Sequence, residues 1–446
     1  MSYTELLTES EYNDYTVVKD WSGYLNKFLT ENQNLKHRPF ILDNIIFETD
    51  VEFEYTSYNF SISFKNCYFK QAVKFTTCNL NNRVSFSVCY IDGGMLLLDA
   101  IFEDVFWLMN VKIKGEFSTV SGKFKHCNLD LYACDKVNII SPLFERIDVF
   151  ISAPYTRIIQ MSQFEPSNKG TFKLYGHGGV IEEINIFNGA KDSGLLLTDF
   201  KTNLFNMENF RNEGQLSLSK ISASDSTKAI FLITHSYLGK AEFNQIDFLH
   251  FNIVSINESH LIDSLFVNVK WPKNIRALEH VKNVKENKPL NILYFTRQRE
   301  TYRQLKFAMA RQGDIINEQM FHSCEMTAYN KIFTRKQLGT KLIISLSRAT
   351  SNFGQSITRP LVWLILGHFV LFACLVQKKA FPSFAFSITH ASWKGFWEAW
   401  KYYFETINPL RKYEPENKFV FMDLMMRIWA SYMVYNFIRA SRRFIK

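Results

Sequence analysis

Five of the polar residues within or between the two most apolar segments of this sequence could carry chemistry. His368 interrupts the first segment, and Asp423 and Arg427 lie one helical turn apart in the second. Thr406 and Asn408 lie in the stretch between the segments. Ionisable side chains are costly inside a membrane, and those that occur there usually serve an ion path, a proton relay or a binding site. We therefore take these five as candidate intramembrane or pore residues, whose chemistry would be the movement of ions or protons.

Catalytic and cofactor motifs are absent from the sequence. It contains no phosphate-binding G-x-x-x-x-G-K-[ST] loop, no G-x-G-x-x-G, no G-x-S-x-G and no H-E-x-x-H. His322, Cys324 and Glu325 come closest to a metal cluster, but positions i, i+2 and i+3 of one helix do not converge on one ion. We expect no enzymatic activity, no cofactor and no metal site.

The two apolar segments are candidate transmembrane helices, over about 360–376 and about 419–438. The first has seventeen residues, about 25 Å of helix, which is near the lower limit for crossing a bilayer. The second is longer but carries an acidic and a basic residue near its start. The sequence therefore predicts two transmembrane helices, and the alternative is a buried amphipathic hairpin in a water-soluble protein.

An aromatic helix is predicted between them, over about 392–408. Trp393, Trp397 and Trp400 recur at helical spacing and are candidate interfacial residues. Such a helix either lies in the headgroup region or dips into the membrane as a re-entrant pore helix. The order span, aromatic helix, span resembles two-helix pore-loop channels, although "ETINPLR" stands where a carbonyl selectivity filter would be.

Charge is distributed unevenly along the chain and favours a membrane partner. Lys plus Arg minus Asp plus Glu gives −6 for residues 40–270 and +17 for 271–446. Residues 331–359 carry six Lys or Arg and no acid, and 439–446 carry four more. The stretch between the predicted spans carries seven, with four Glu. Basic flanks face the cytoplasm, so we expect a multi-pass protein of a bacterial inner membrane with both termini cytoplasmic, and no nucleic-acid partner.

A repeat with a period of eleven residues occupies residues 40–124. Apolar residues recur at i, i+2, i+5 and i+7, and 29 of these 32 positions are apolar in a chain that is 47% apolar. Each pair at i and i+2 is a short strand with two inward side chains, and steps of five and six residues turn a corner after each pair. Four such faces close one coil of about 22 residues, so the pattern predicts a β-solenoid with cytosolic, unpaired cysteines. The units are Phe40-Leu42-Ile45-Phe47, Val51-Phe53-Thr56-Tyr58, Ile62-Phe64-Cys67-Phe69, Val73-Phe75-Cys78-Leu80, Val84-Phe86-Cys89-Ile91, Met95-Leu97-Ala100-Phe102, Phe106-Leu108-Val111-Ile113 and Phe117-Thr119-Gly122-Phe124.

The segments "NCYFK", "TCNLN", "VCYID" and "HCNLD" resemble pentapeptide repeats, in a degenerate form with one extra residue in every second unit. The resemblance implies a right-handed quadrilateral β-helix in which Cys67, Cys78, Cys89 and Cys127 fill the small inward position. Later segments keep the same pattern of inward pairs after the eleven-residue period ends. The segment "YGHGGV" near residue 177 is expected to be a coil corner. The pairs are Phe172-Leu174, Leu195-Leu197, Leu216-Leu218 and Ala241-Phe243.

Four regions are therefore expected. Residues 1–39 cap the open end, 40–270 form the solenoid of some ten coils, 271–335 form a helical linker hairpin and 336–446 form the membrane domain. The hairpin turns at the glycine in "RQGD", and "YRQLKFAMARQGDIINEQMFHSCEM" resembles a helical segment that follows β-helical repeats in some bacterial membrane proteins.

The layout suggests a membrane-anchored protein whose cytosolic solenoid binds or senses a protein partner. Its helices would act on the bilayer, as a homo-oligomeric pore or ion-channel-like effector, and this layout resembles bacterial effectors of phage defence. The alternative is a passive membrane-anchored scaffold or adaptor. A soluble decoy that mimics DNA, as some pentapeptide-repeat proteins do, is disfavoured by the weak charge of the solenoid and by the apolar hairpin.

Overall fold

Two compact units make up the computed structural model, divided between residues 283 and 284. The first is a β-solenoid and the second is helical. The structure describes residues 15–31, 39–151, 156–163, 168–189, 192–211, 213–272, 274–276, 288–333, 337–377, 392–410 and 420–441.

Parallel strands wind through the described part of the first unit, and several run around corners without a break. The strands are β1 (Thr16–Val18), β2 (Phe40–Asp43), β3 (Ile45–Phe47), β4 (Val51–Glu54), β5 (Ser57–Tyr58), β6 (Ile62–Lys65), β7 (Tyr68–Phe69), β8 (Val73–Thr76), β9 (Asn79–Leu80), β10 (Val84–Ser87), β11 (Tyr90–Ile91), β12 (Met95–Leu98), β13 (Ile101–Val120), β14 (Lys123–Ile140), β15 (Leu143–Ile151), β16 (Thr156–Ser162), β17 (Thr171–Phe187), β18 (Gly194–Glu208), β19 (Leu216–Ala223), β20 (Ile230–Thr234), β21 (Glu242–Asn244), β22 (Ile253–Asn257) and β23 (Leu265–Val267). A 3-10 turn lies at Phe248–His250.

The strand register confirms the predicted length of one coil. Phe40 pairs with Ile62, Ile62 with Val84 and Val84 with Phe106, so each strand lies beside the strand two repeat units further along the chain. The same step joins β4 to β8 and β8 to β12. Strands of successive units are thus not neighbours but lie on different faces of one coil. About ten coils stack in this way, consistent with a pentapeptide-repeat type of β-helix.

A left-handed backbone residue turns one corner of every unit. Residues with positive φ recur every eleventh position from Asn44 to Ser121, and they are Asn44, Tyr55, Asn66, Thr77, Val88, Asp99, Asn110 and Ser121. Each lies at i+4, between the first and second inward pair of its unit. Asn and Asp tolerate this conformation better than other side chains. The other corner has one more residue, which explains the alternating steps of five and six, and within residues 40–124 only Gly94 has a positive φ there.

The later coils pair as their sequence pattern predicts, despite variable loops. Phe172 pairs with Leu195, and Leu195 pairs with Leu216. Leu218 pairs with Phe243 one coil further on. The "YGHGGV" segment is a corner as predicted, because His177 and Gly178 both have positive φ and the register of β17 shifts there.

Stacked aromatic rings fill the interior of the first coils. Phe64 lies over Phe86 with 4.6 Å between ring centroids, and Phe53 lies over Phe75 at 4.8 Å. All four side chains are fully buried. Each such ring removes its apolar surface from water and adds a favourable offset-stacked contact with the coil above. The interior is therefore held by columns that run along the solenoid axis.

The predicted position of Cys127 is wrong in register, although its side chain is buried. Cys127 pairs with Phe106 and so occupies the first inward position of its unit, whereas Cys67 and Cys89 occupy the third. The cause is a shortened corner: Phe102 still pairs with Phe124, but Val105 pairs with His126, so one residue of the repeat is missing between them. A second residue is missing at a later corner, between Ile113, which pairs with Cys134, and Glu116, which pairs with Lys136, so the eleven-residue period does not continue past this coil.

A strand and a helix cover the first coil. Strand β1 pairs with β3, and helix α1 (Trp21–Glu31) follows it. Trp21 is 3% exposed, and its indole nitrogen donates a hydrogen bond to the Glu52 carbonyl at 2.9 Å. Its ring packs 5.3 Å from Phe53 and 5.6 Å from Phe47. These contacts close the apolar end of the tube, as expected of a solenoid terminus.

Replacing Trp21 by alanine should lower the free energy of unfolding of the solenoid by about 3–5 kcal/mol, because it uncovers the first phenylalanine layer. Urea denaturation followed by β-sheet circular dichroism measures this loss. Tyr24→Ala is the matched control on the same helix, because Tyr24 is 37% exposed. Equal losses for both variants would contradict a capping role for Trp21.

Six helices form the described part of the second unit. They are α2 (Lys288–Gln312), α3 (Ile315–Ile332), α4 (Leu338–Ser351), α5 (Thr358–Gln377), α6 (Trp393–Ile407) and α7 (Val420–Ser441). The predicted hairpin is α2 and α3, which are joined at Gly313 with φ +74°. Asp314 caps α3 by accepting a hydrogen bond from the Asn317 amide. Helix α4 was not predicted from the sequence, and the division between linker and membrane domain at residue 336 stays a prediction.

One helix of the described residues has the length and hydropathy of a membrane span. It is α5, whose most apolar window has a mean hydropathy of 2.0. Helix α7 is long enough but less apolar, so the second predicted transmembrane helix is not established by this criterion. Only 28% of the α5 window is buried within the unit.

Candidate functional site

His368 and Thr406 form a buried polar contact between α5 and α6. The His368 ring nitrogen Nε2 lies 3.1 Å from the Thr406 hydroxyl, and both side chains are almost completely buried. That hydroxyl donates to the Tyr403 carbonyl at 2.9 Å. It therefore accepts from His368, which makes Nε2 the protonated ring nitrogen. The packing of α6 on α5 thus brings together two predicted polar residues that are far apart in the sequence.

Asp423 and Arg427 form an ion pair within the first turns of α7. Arg427 Nε lies 2.7 Å from Asp423 Oδ2, and Asp423 is 7% exposed. The guanidinium also reaches the Pro409 carbonyl, at a longer 3.4 Å. Asn408 is exposed, and its side-chain oxygen accepts from the Leu410 amide in a turn after α6. The pair neutralises two charges that α7 would otherwise carry separately.

The aromatic stripe of α6 is on its exposed side. Trp393, Trp397 and Trp400 are 75%, 55% and 39% exposed, and Phe396 and Phe404 accompany them. The opposite face contributes Gly395, Ala399, Tyr403 and Thr406 to the interior of the unit. The predicted interfacial residues therefore share one outward face, whereas the two small residues, like Tyr403 and Thr406, face the other helices.

Helix α6 is held to α5 by a further hydrogen bond, from the Tyr403 hydroxyl to the Ile365 carbonyl at 2.8 Å. Phe372, Leu375 and Met426 pack with Tyr403 in one buried cluster that joins α5, α6 and α7. The three helices thus share a small core of their own. Its apolar members could be found from helical spacing, but the partners of each could not.

Helices α5 and α7 approach closely at a glycine that sequence reasoning did not single out. A Cβ on Gly367 would lie 2.6 Å from the ring of Trp429, so only glycine fits there. The Trp429 indole donates to the Trp363 carbonyl at 3.2 Å. Small residues allow helices to pack at short range in membranes. Gly367 in an otherwise bulky segment was the available signal.

The hairpin contacts the end of α7 through a polar cavity of about 310 Å³. Lys306 of α2 lies 2.7 Å from Glu325 of α3, and Arg439 of α7 lies 3.2 Å from Nε2 of His322. Burial and the positive charges of Arg439 and Lys306 lower the pKa of His322. His322 and Glu325 were considered above as possible metal ligands. In the structure they contact the basic side chains of Arg439 and Lys306. No group of three metal-binding side chains occurs in the part of the chain that the structure describes.

Replacing Lys306 by alanine should destabilise the hairpin by about 2 kcal/mol, since it leaves the buried Glu325 carboxylate without its partner. The matched control is Arg303→Ala, which removes the exposed Arg303–Glu300 pair on the same helix and should cost less than about 1 kcal/mol. Hydrogen exchange of α2 and α3 peptides measures both. Equal protection in the two variants would contradict a structural role for the buried pair.

The solenoid carries an open groove of about 600 Å³ across several coils. Lys123, Lys125 and Lys169 line it, together with Glu103 and Glu145. Asn168 at one end is fully buried, and its side-chain oxygen accepts from the Phe144 and Gly170 amides. The mixed charge of this groove suits a polar partner more than an apolar one.

The solenoid cysteines are packing residues. Cys67, Cys78 and Cys89 are buried and unbridged. Burial raises the pKa of the Cys78 thiol to about 12 and that of Cys89 well above its ordinary value. Thiols in this state are protonated at neutral pH and are poor nucleophiles and metal ligands.

No family model, no curated protein and no solved structure matches this chain.

Proposed function

We propose that this chain is a membrane-anchored protein whose solenoid binds a protein partner in the cytosol. The observation that carries the anchoring is α5: it is long and apolar enough to cross a bilayer, and only 28% of its apolar window is buried inside the unit. A core helix of a water-soluble protein has its apolar residues covered. Here Leu366, Phe369 and Val370 are 57%, 53% and 61% exposed.

The neighbouring helices extend this apolar surface. On α7, Phe421, Leu424 and Ile428 are each more than half exposed, and the α6 stripe adds its tryptophans. Soluble monomers rarely expose contiguous apolar patches of this kind. Helix α7 is the proposed second span, because pairing of Asp423 with Arg427 reduces the cost of burying either charge in lipid.

The proposed topology follows the basic flanks of α5 and α7. It leaves both termini and the solenoid on the cytoplasmic side of a bacterial inner membrane. In this arrangement α6 lies between the spans with its tryptophans directed outward, which suits the headgroup region. The contact of α6 with α5 through His368 and Thr406 also suits a re-entrant element, since it is buried and polar.

We further propose that the helices act on the bilayer when the solenoid engages its partner, as copies that assemble into a pore in an antiviral response. Two features of one chain support this proposal. Its three apolar helices enclose polar groups, and a long solenoid of the kind that binds partners precedes them. A passive scaffold is the second candidate, favoured by the internal pairing of His368 and of Asp423, which leaves these groups engaged within one chain.

Membrane potential in bacteria that express the chain, with and without phage infection, separates these two functions. The pore proposal expects depolarisation in at least one state, and none when α5 is disabled by Leu366→Lys with Val370→Lys. A chain that stays in the membrane fraction without depolarising the cells in either state is a scaffold, and the pore proposal is then wrong.

A further inference from the structure

Helix α4 presents a row of large apolar side chains outward. Leu338, Leu342 and Ile343 are 66%, 69% and 66% exposed, and Leu346 is 40% exposed. Their spacing of four, one and three residues places them on one side of the helix. An apolar row of this length on a fourteen-residue helix needs a cover, because water is a poor solvent for it.

The other side of α4 is fixed to the unit, so the row cannot turn inward. Ile344 and Ser351, seven residues apart on the side opposite the row, are buried. The Trp363 indole of α5 donates to the Ala349 carbonyl at 3.2 Å. The helix is therefore held with its apolar row facing away from the protein.

A tight turn ties α4 to the candidate span. Asn352, Phe353 and Gly354 all have positive φ, and the Asn352 amide bonds to the Arg348 carbonyl. The Gly354 amide bonds to Ser351, and the Gln355 side chain bonds to the Gln319 carbonyl of α3. This short turn is all that separates α4 from α5, so an α5 that crosses a bilayer brings α4 to its surface.

The charges of α4 favour a negatively charged lipid surface as its partner. Lys341 and Arg348, seven residues apart, lie beside one edge of the apolar row, and neither Asp nor Glu occurs anywhere from residue 326 to 397. Amphipathic helices with apolar residues on one side and basic residues beside them bind anionic lipid surfaces. A second copy of this face would bring like charges together, which disfavours self-association through α4.

We propose that α4 lies in the plane of the cytoplasmic membrane surface, with Leu338, Leu342, Ile343 and Leu346 among the outer acyl carbons and Lys341 and Arg348 at anionic headgroups. This rests on the proposed membrane anchoring through α5. Helix α4 then joins the α2–α3 hairpin to the span and makes the position of the span dependent on the lipid charge at this surface.

Depth-dependent fluorescence quenching in nanodiscs tests this with the full chain. The background carries Cys324→Ser and Cys374→Ser, and an environment-sensitive dye is attached at one new cysteine. Leu342→Cys reports the apolar row, Thr340→Cys is the exposed control on the opposite side of α4, and Phe369→Cys reports the span. Lipids with a nitroxide near the headgroup or deep in the acyl chain, and iodide in water, are the quenchers.

The proposal expects at least threefold stronger quenching at residue 342 by the shallow nitroxide than by the deep one, with little quenching by iodide. At residue 340 iodide should be the strongest quencher, and at residue 369 the deep nitroxide should be the strongest. If iodide quenches 342 as strongly as 340 while 369 is deep in lipid, the α4 proposal is wrong and the anchoring stands. If 369 shows no lipid quenching, the proposed anchoring itself fails.

Two further results distinguish lipid from other partners that could cover the apolar row of α4. Protection of residue 342 from every quencher, in proportion to the number of chains per disc, would show contact between copies and overturn the proposal. Lys341→Gln with Arg348→Gln should reduce shallow quenching at 342 in discs with phosphatidylglycerol to the level in phosphatidylcholine alone. Equal quenching of this variant and its parent in both lipids would overturn the headgroup contact.

Discussion

Lysine at both Leu366 and Val370 should remove the protein from the membrane fraction. The two side chains lie one turn apart on the exposed side of α5. A lysine near the centre of a spanning helix costs about 2.5–3.5 kcal/mol, so two should outweigh the insertion free energy of α5 and also of the less apolar α7 that packs on it. Flotation of membranes on a density gradient measures the fraction that remains bound.

The matched control is Ile316→Lys on the α2–α3 hairpin. Ile316 is 70% exposed and apolar, so the change adds the same kind of charge to an exposed position outside the proposed spans. This variant should float with the membranes as the parent does. Unchanged flotation of the double lysine variant would contradict anchoring that depends on α5.

Replacing Phe86 by alanine should strongly destabilise the solenoid. Its ring stacks 4.6 Å from Phe64 and lies 6.2 Å from Phe106, so its loss opens a cavity through three consecutive coils. Truncation of a buried phenylalanine costs about 3–5 kcal/mol. Because each coil is stabilised mainly by its neighbours, the loss should also lower cooperativity.

Urea unfolding followed by circular dichroism measures the effect of Phe86→Ala, and Ser87→Ala is its control. Ser87 is the next residue but faces outward and is half-buried, so its replacement should change the unfolding free energy by about 0.5 kcal/mol or less. Similar losses for both variants would contradict an axial phenylalanine column.

The repeat was predictable because its period is set by chain geometry. A stacked coil must return each strand to the same face, so the inward positions of Phe40, Ile62 and Val84 recur once per coil and can be read in the sequence. The left-handed corners were not predicted. Their signal was present in Asn44, Asn66 and Asn110, but Tyr55 and Val88 occupy the same position. The packing of the coils therefore imposes the left-handed conformation even on residues that disfavour it.

The helical unit shows where sequence reasoning ends. Helix lengths near 360–376, 392–408 and 419–438 follow from apolar spacing, and α5, α6 and α7 lie at these places. Helix α4 was not predicted although Leu338, Leu342 and Leu346 recur at helical spacing, because the basic residues of 331–359 indicate only a flank of the span. The pairing of His368 with Thr406 depends on how α5 packs on α6, and no local pattern encodes it.

The central claim is that a β-solenoid is anchored by a helix that crosses a lipid bilayer, and alkaline carbonate extraction of membranes from expressing bacteria tests it most directly. This treatment strips proteins held by charge and leaves those integrated in lipid. The account predicts that the full chain stays in the membrane pellet at high salt and in carbonate. Release of the chain into the supernatant, with its solenoid folded, would contradict it.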